Sequence, residues 1–219
     1  MIPYSQGCIL LSDRQNTFDT GSKQERIKLL LLGSNGPVIG CAGESQLIEN
    51  LFANITEEWH LLQGDSYTKF KKIFEKFLEA QMNIRRLTGA GIDPSGVVET
   101  ILVEVQSGQI TSFSATGLIR KKVACNNIVA IPTDFPEVQP YLKIDSKSLL
   151  EKEAIDLGEQ ILRQTCFFNY KVGPPEYHGY DYVKITPAGN FTKNNIVAKF
   201  PKLDPSQLID KVRIVEEAV

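Results

Sequence analysis

The chain has 219 residues, 42% hydrophobic and 23% charged, which suffices for one domain with a proper core and is too short for two ordinary ones. Its 24 Lys and Arg against 26 Asp and Glu give a formal net charge of -2, so no excess of positive charge is present to hold phosphate backbones or anionic lipid, and neither nucleic acid nor membrane is expected as a partner. A bilayer span needs about 20 consecutive apolar residues, whereas the longest apolar runs are about four residues, as at 29–32.

In chain order, the string Gly7-Cys-Ile-Leu-Leu-Ser-Asp-Arg14 starts apolar and ends polar, as a strand leaving a core would, and its end exposes Asp13. Residues 16–24, rich in Asn, Asp, Thr, Gly and Ser, read as a loop, and 27–32 as a second, well-buried strand. Gly33-Ser-Asn-Gly36 turns into a third strand over 37–42. The period then changes. Leu47, Ile48, Leu51, Phe52, Ile55 and Trp59 recur at three and four, which predicts a helix over 44–62. Phe70, Ile73, Phe74, Phe77, Leu78 and Gln81 predict a second helix, with Lys69, Lys71, Lys72, Glu75, Lys76 and Glu79 as its solvated face.

Residues 89–96 break that helix and lack the Lys-Ser/Thr ending of a phosphate-binding loop. Strands follow over 97–105 and 110–119, flanking the hairpin signal Ser107-Gly108. Residues 126–141, with three prolines, read as a loop, and Leu149, Leu150, Ala154, Leu157, Ile161 and Leu162 mark a third helix. Late strands are predicted over 181–187 and 195–200. Strand runs separated by paired helices, without regular βα alternation, predict α+β packing: two antiparallel sheets face to face with helices outside. No repeat or linker divides residues 1–219, so one domain is expected.

The cysteines Cys8, Cys41, Cys125 and Cys166 are scattered, without the spacing of a zinc site or redox pair. Reduced thiols, no metal and no cofactor are expected. The N-terminus has no basic segment followed by an apolar one, which predicts a cytoplasmic protein. The sequons at Asn54 and Asn190 then carry no meaning.

The string 7–14, the run Arg26-Ile-Lys-Leu-Leu-Leu-Leu32, and Gly40-Cys-Ala-Gly43 leading into Glu44-Ser-Gln-Leu-Ile-Glu-Asn-Leu51 resemble the N-terminal half of proteasome-type subunits, the β-type more than the α-type. These belong to the N-terminal nucleophile (Ntn) hydrolases, and Gly179-Tyr-Asp-Tyr-Val-Lys-Ile-Thr186 adds a late match. The resemblance implies a four-layer αββα sandwich and threonine-type cleavage of amide bonds in a peptide or protein. In that chemistry an N-terminal Thr, Ser or Cys attacks a carbonyl while its own α-amine takes the proton.

By resemblance, Asp13 matches the aspartate that holds the active-site lysine. Lys28 matches the lysine, with Arg26 as the alternative register; Arg would substitute poorly because its pKa hardly moves. Gly43 would offer its backbone N–H to the oxyanion, a donor worth about 3–4 kcal/mol in the transition state. Asp181, in the late strand, is a further catalytic candidate, with a structural role at a strand start as the alternative. The family spacing from Asp13 sets the nucleophile about four residues ahead of Met1, since Met1 itself cannot serve. Cys8, next to Gly7, is a second possible nucleophile after processing, and Ser5 a third. His178 with Cys125 or Cys166 is the available Cys/His pairing, and His60 lies beside Trp59 on the first predicted helix. The family also implies a homo-oligomer or related subunits stacked through outer helices. Two other readings remain: an inactive structural or binding subunit, and an α+β protein holding a ligand between its sheets.

Overall fold

The computed structural model describes residues 1–17, 23–25, 27–89, 98–106, 109–116, 119–124, 128–129, 139–169 and 180–196. The chain begins with a hairpin, β1 (Ile2–Tyr4) against β2 (Gly7–Asp13), in the register Ile2↔Ile9. β1 is absent from the sequence reading because Pro3 disguises it. Proline cannot donate to a ladder, and β1 forms the edge of its sheet, where that loss is tolerated. The edge is covered in turn by Val129, whose N–H donates to the Met1 carbonyl (2.9 Å) while the Met1 amino group donates to the Val129 carbonyl (2.6 Å).

A small hairpin follows, β3 (Gln15–Thr17) with β4 (Lys23–Glu25). The predicted loop over 16–24 therefore carries strand at both ends: its composition marks a turn but not where pairing resumes. β5 is only Leu29–Leu31 and half-buried, and Ile27 is 60% exposed, so the expected well-buried strand over 27–32 is shorter and shallower than read. Among the described residues, β5 is the outer strand of its sheet, paired on one side only with β6 (Val38–Gly43).

α1 (Ser45–Glu58) buries Leu47, Ile48, Leu51 and Ile55, and ends four residues before the predicted limit of 62. α2 (Ser66–Thr88) starts at Asp65, whose carboxylate accepts from the Thr68 N–H (2.7 Å), and stops at Gly89 with φ 69°. Phe70, Ile73, Phe74, Phe77 and Leu78 are buried along it, with Phe70 and Phe74 stacked at 5.5 Å between centroids. On the lysine-bearing face Lys76 donates to Glu58 across the helix pair (2.6 Å), and Lys69 lies over the Trp59 ring.

β7 (Val98–Gln106) and β8 (Gln109–Thr116) pair antiparallel out to Gln106↔Gln109, the predicted hairpin. The strand expected over 110–119 is in fact two, because β8 stops at Thr116 and β9 (Ile119–Ala124) returns beside it. The loop reading of 126–141 lies mostly outside the described residues. α3 (Glu151–Asn169) begins after Leu149 and Leu150, later than their spacing suggested, and Glu153 takes the Leu150 N–H (2.7 Å), half of a capping box. β10 (Tyr180–Thr186) then turns directly into β11 (Gly189–Ile196), which starts six residues before the predicted 195.

The strands form two antiparallel sheets, ordered β1-β2-β10-β11 and β5-β6-β7-β8-β9, beside the β3-β4 hairpin. With three α-helices among the described residues this is the α+β class that the sequence predicts. Strand alternation sorts the apolar side chains. Ile39, Cys41, Val98 and Leu102 pack with α1 and α2; Ile9, Tyr180 and Tyr182 pack with α3. Cys8, Leu10, Val38, Ile101, Val103, Val183 and Ile185, drawn from both sheets, pack with one another. Each fully buried side chain of this size contributes about 1.5–3 kcal/mol. No helix among the described residues is long and apolar enough to cross a membrane.

Two links join the sheets at opposite ends of their strands. At one, the turn between β5 and β6 meets the turn between β10 and β11: the Asn190 N–H donates to the Ser34 carbonyl (2.9 Å), and its side-chain amide donates to the Gly36 carbonyl (2.7 Å). At the other, where β2 ends and β5 begins, the link is ionic.

Candidate active site

The ionic end is built by register. β10 lies antiparallel to β2 with Tyr180 opposite Asp13 and Asp181 opposite Ser12, so two carboxylates arrive at neighbouring positions from distant parts of the chain. On the second sheet Lys28 stands just before β5, and the Cys41 N–H donates to its carbonyl (2.9 Å), extending the β5–β6 ladder by one residue. The Lys28 ammonium donates to both oxygens of Asp13, at 2.9 and 3.1 Å. This pair bridges the two sheets. Its side chains are 12% and 23% exposed, for Lys28 and Asp13, so solvent screens it less than a surface pair but does not exclude it from reach.

Asp181, 4% exposed at its side chain, accepts from Arg14 Nη1 at 3.0 Å. Arg14 follows Asp13 directly, so the two ion pairs are joined through one peptide unit. Arg14 received no role in the sequence reading. Its partner is 167 residues away, and adjacency to Asp13 was the only local signal.

Gly43 ends β6 opposite Val98, two residues past the residue paired with Lys28, which is about 7 Å of strand. Its φ of 127° is a conformation that favours glycine, and it lets the chain leave β6 and enter α1 through Glu44. Gly43 is exposed. All four residues singled out from the sequence thus lie at one end of the two sheets: Asp13 and Lys28 in contact, Asp181 beside them through Arg14, and Gly43 on the strand next to Lys28.

The alternatives fare differently. Cys8 is fully buried within β2, opposite Pro3 and Ile185. Ser5 is exposed in the β1–β2 turn, at the other end of β2 from Asp13, and its N–H donates to the Leu149 carbonyl. His60 is exposed beyond the end of α1 rather than on it. Arg26, Cys125 and His178 lie outside the described residues. Burial pushes the Cys41 thiol far above its usual range, so it stays protonated and packs as an apolar side chain.

The α+β fold with two antiparallel sheets and three helices among the described residues resembles that of solved proteasome-like subunits. Solved structures bear out that likeness at the level of the fold. Anbu, an ancestral β-subunit, from Yersinia bercovieri superposes with a TM-score of 0.64 at 13% identity, over 99% of this chain and 92% of that one. Anbu from Hyphomicrobium sp. strain MC1 gives 0.56 at 15% identity, and a Gly-1 mutant of Anbu from the same strain 0.59 at 13%, with the same coverage. No family model and no curated protein matches the sequence.

Proposed function

We propose that this chain is a proteasome-like Ntn hydrolase that cleaves amide bonds in a peptide or protein, built as one domain over residues 1–219 and as a four-layer αββα sandwich. The layering is supported by the three apolar clusters, one between the sheets and one under the helices on each outer face. The observation that carries the chemistry is the contact of Lys28 with both carboxylate oxygens of Asp13 at the open end of the strands.

In this reading an N-terminal Thr, Ser or Cys attacks the substrate carbonyl and passes its proton to its own α-amine. The Lys28 cation favours the neutral amine and the anionic nucleophile over their protonated forms. Asp13 fixes the lysine, the Gly43 N–H stabilises the oxyanion, and Arg14 with Asp181 holds the end of β2 in place. Counting along the β1–β2 pairing, the position opposite Asp13 corresponds to three residues ahead of Met1, close to the four expected from family spacing. The protein is cytoplasmic and assembles with copies of itself or with related subunits, uses no cofactor, and takes neither nucleic acid nor membrane as partner.

The test is a chain extended at its N-terminus so that processing exposes a Thr at that position. Incubation with a β-lactone or epoxyketone probe is expected to label the new residue, and Lys28→Ala in the same background to abolish labelling. Mass spectrometry showing undiminished labelling in Lys28→Ala would overturn the lysine assignment. A folded extended chain that takes no label would instead assign the molecule to the inactive structural subunits.

A further inference from the structure

Asn35-Gly36 is the one Asn-Gly pair in the 219 residues, and it sits in the turn that links the sheets at the end away from Lys28. Each of its parts is held by the fold. Gly36 cannot be replaced by another residue without rearrangement, because a Cβ there would stand 1.6 Å from the Leu32 carbonyl oxygen. Asn35 is exposed, and its side-chain oxygen lies over Gly189, 2.7 Å from where a Cβ on that residue would be. Among the described residues, the Gly36 N–H is engaged only by a long bond of 3.4 Å to the Gly33 carbonyl, at the outer limit of a hydrogen bond. The two acceptors of Asn190, the carbonyls of Ser34 and Gly36, flank Asn35 on either side.

We propose that Asn35 is a self-modification site, at which the turn converts its own asparagine to isoaspartate and thereby releases the link between the sheets. The Gly36 backbone nitrogen loses its proton to solvent and attacks Asn35 Cγ. The new N–Cγ bond closes a succinimide as the Cγ–amide bond breaks, and the amide nitrogen leaves as ammonia. Water then opens the ring at either carbonyl, giving isoaspartate or aspartate. The net change is uptake of one water and loss of one ammonia, with no oxidant or reductant. A glycine nitrogen suits this attack because no side chain shields it. The isoaspartate product inserts an extra methylene into the backbone between the Ser34 and Gly36 carbonyls. Asn190 can no longer reach both with its N–H and side-chain amide.

The experiment incubates the folded protein in mildly alkaline buffer and quantifies isoaspartate at each asparagine by peptide mapping, with enzymatic methylation of isoaspartyl groups as the readout. Asn35 is expected to be the first and dominant site, while Asn50, also exposed but held on α1 with its side chain bonded to Gln46, stays unconverted. The signal is lost in Asn35→Gln, whose longer side chain does not form the five-membered ring. Hydrogen exchange at the Asn190 amide rises in step with the converted fraction. Conversion at Asn35 no faster than at Asn50 would overturn the site. Full conversion with unchanged protection at Asn190 would overturn its effect on the link.

Discussion

The two ends of this molecule join the same pair of sheets by different physical means. At the turn end, neutral hydrogen bonds from Asn190 reach backbone carbonyls of a neighbouring turn. At the strand-exit end, charged side chains do the joining: Lys28 with Asp13 across the sheets, and Arg14 with Asp181 within one sheet. A neutral bond of the first kind contributes about 1 kcal/mol net, and cutting it leaves a polar group rather than a charge unsatisfied. A partly buried ion pair adds modestly when whole but leaves an uncompensated charge when halved. The contrast teaches that the two ends differ in field: the turn end presents neutral backbone groups, and the strand-exit end presents fixed charges.

The largest expected break is Asp181→Ala. It removes the carboxylate that accepts from the Arg14 guanidinium, 16% exposed, and is expected to cost about 3–5 kcal/mol, read as a lowered urea midpoint at unchanged slope. Asp181→Ala together with Arg14→Met is expected to recover part of that loss, which would mark the penalty as electrostatic rather than a cavity.

High pH strikes the turn end next. Tyr4, in the hairpin beside Gly7, has its phenol pushed up to about 12 by burial first, and then by the Glu151 carboxylate and Cys8. Because the folded state holds the proton more tightly than the unfolded state, Tyr4 contributes its full stability below pH 10. That contribution is lost as pH rises from about 10 to about 12. Tyr4→Phe is expected to flatten this part of a pH–stability curve, and a curve of unchanged steepness would remove Tyr4 from the account.

Lys28→Met is expected to cost about 2 kcal/mol, less than Asp181→Ala because the Asp13 side chain is 23% exposed and regains some hydration. A double-mutant cycle with Asp13→Asn measures the coupling directly, and coupling near zero would dissolve the distinction between the ends. The smallest change is Asn190→Ala, about 1 kcal/mol. It removes the bond to the Gly36 carbonyl and keeps the backbone N–H to Ser34. Loss of amide protection confined to the two turns is the expected signature.

Much of the fold was legible because its signals are local. The stripes Leu47-Ile48-Leu51-Ile55 and Phe70-Ile73-Phe74-Phe77 each report a helix from one segment of sequence, and both helices bury those residues. The Ser107-Gly108 signal separated β7 from β8 for the same reason. What was misread depends on pairing. β1 is three residues long and contains a proline, β3 and β4 lie at the ends of a polar segment, and β9 was merged with β8. Such strands exist because a neighbour satisfies their backbone groups, and the neighbour's identity is not written in their own composition.

The site divides along the same line. Asp13, Lys28, Gly43 and Asp181 were singled out through resemblance to short strings and their order, whereas Arg14, equally close in sequence, was passed over because nothing local announces a partner in β10. The sequence by itself determined the helices and the longer strands, the absence of any long apolar span and the positions of the charges, since periodicity and charge are properties of single segments. Only the tertiary structure decided that Lys28 faces Asp13, that Asp181 takes Arg14, and that Asn190 clasps the turn around Asn35. Those pairings follow from antiparallel register and from the packing of two sheets on each other, in which one shifted residue would carry every side chain to the opposite face.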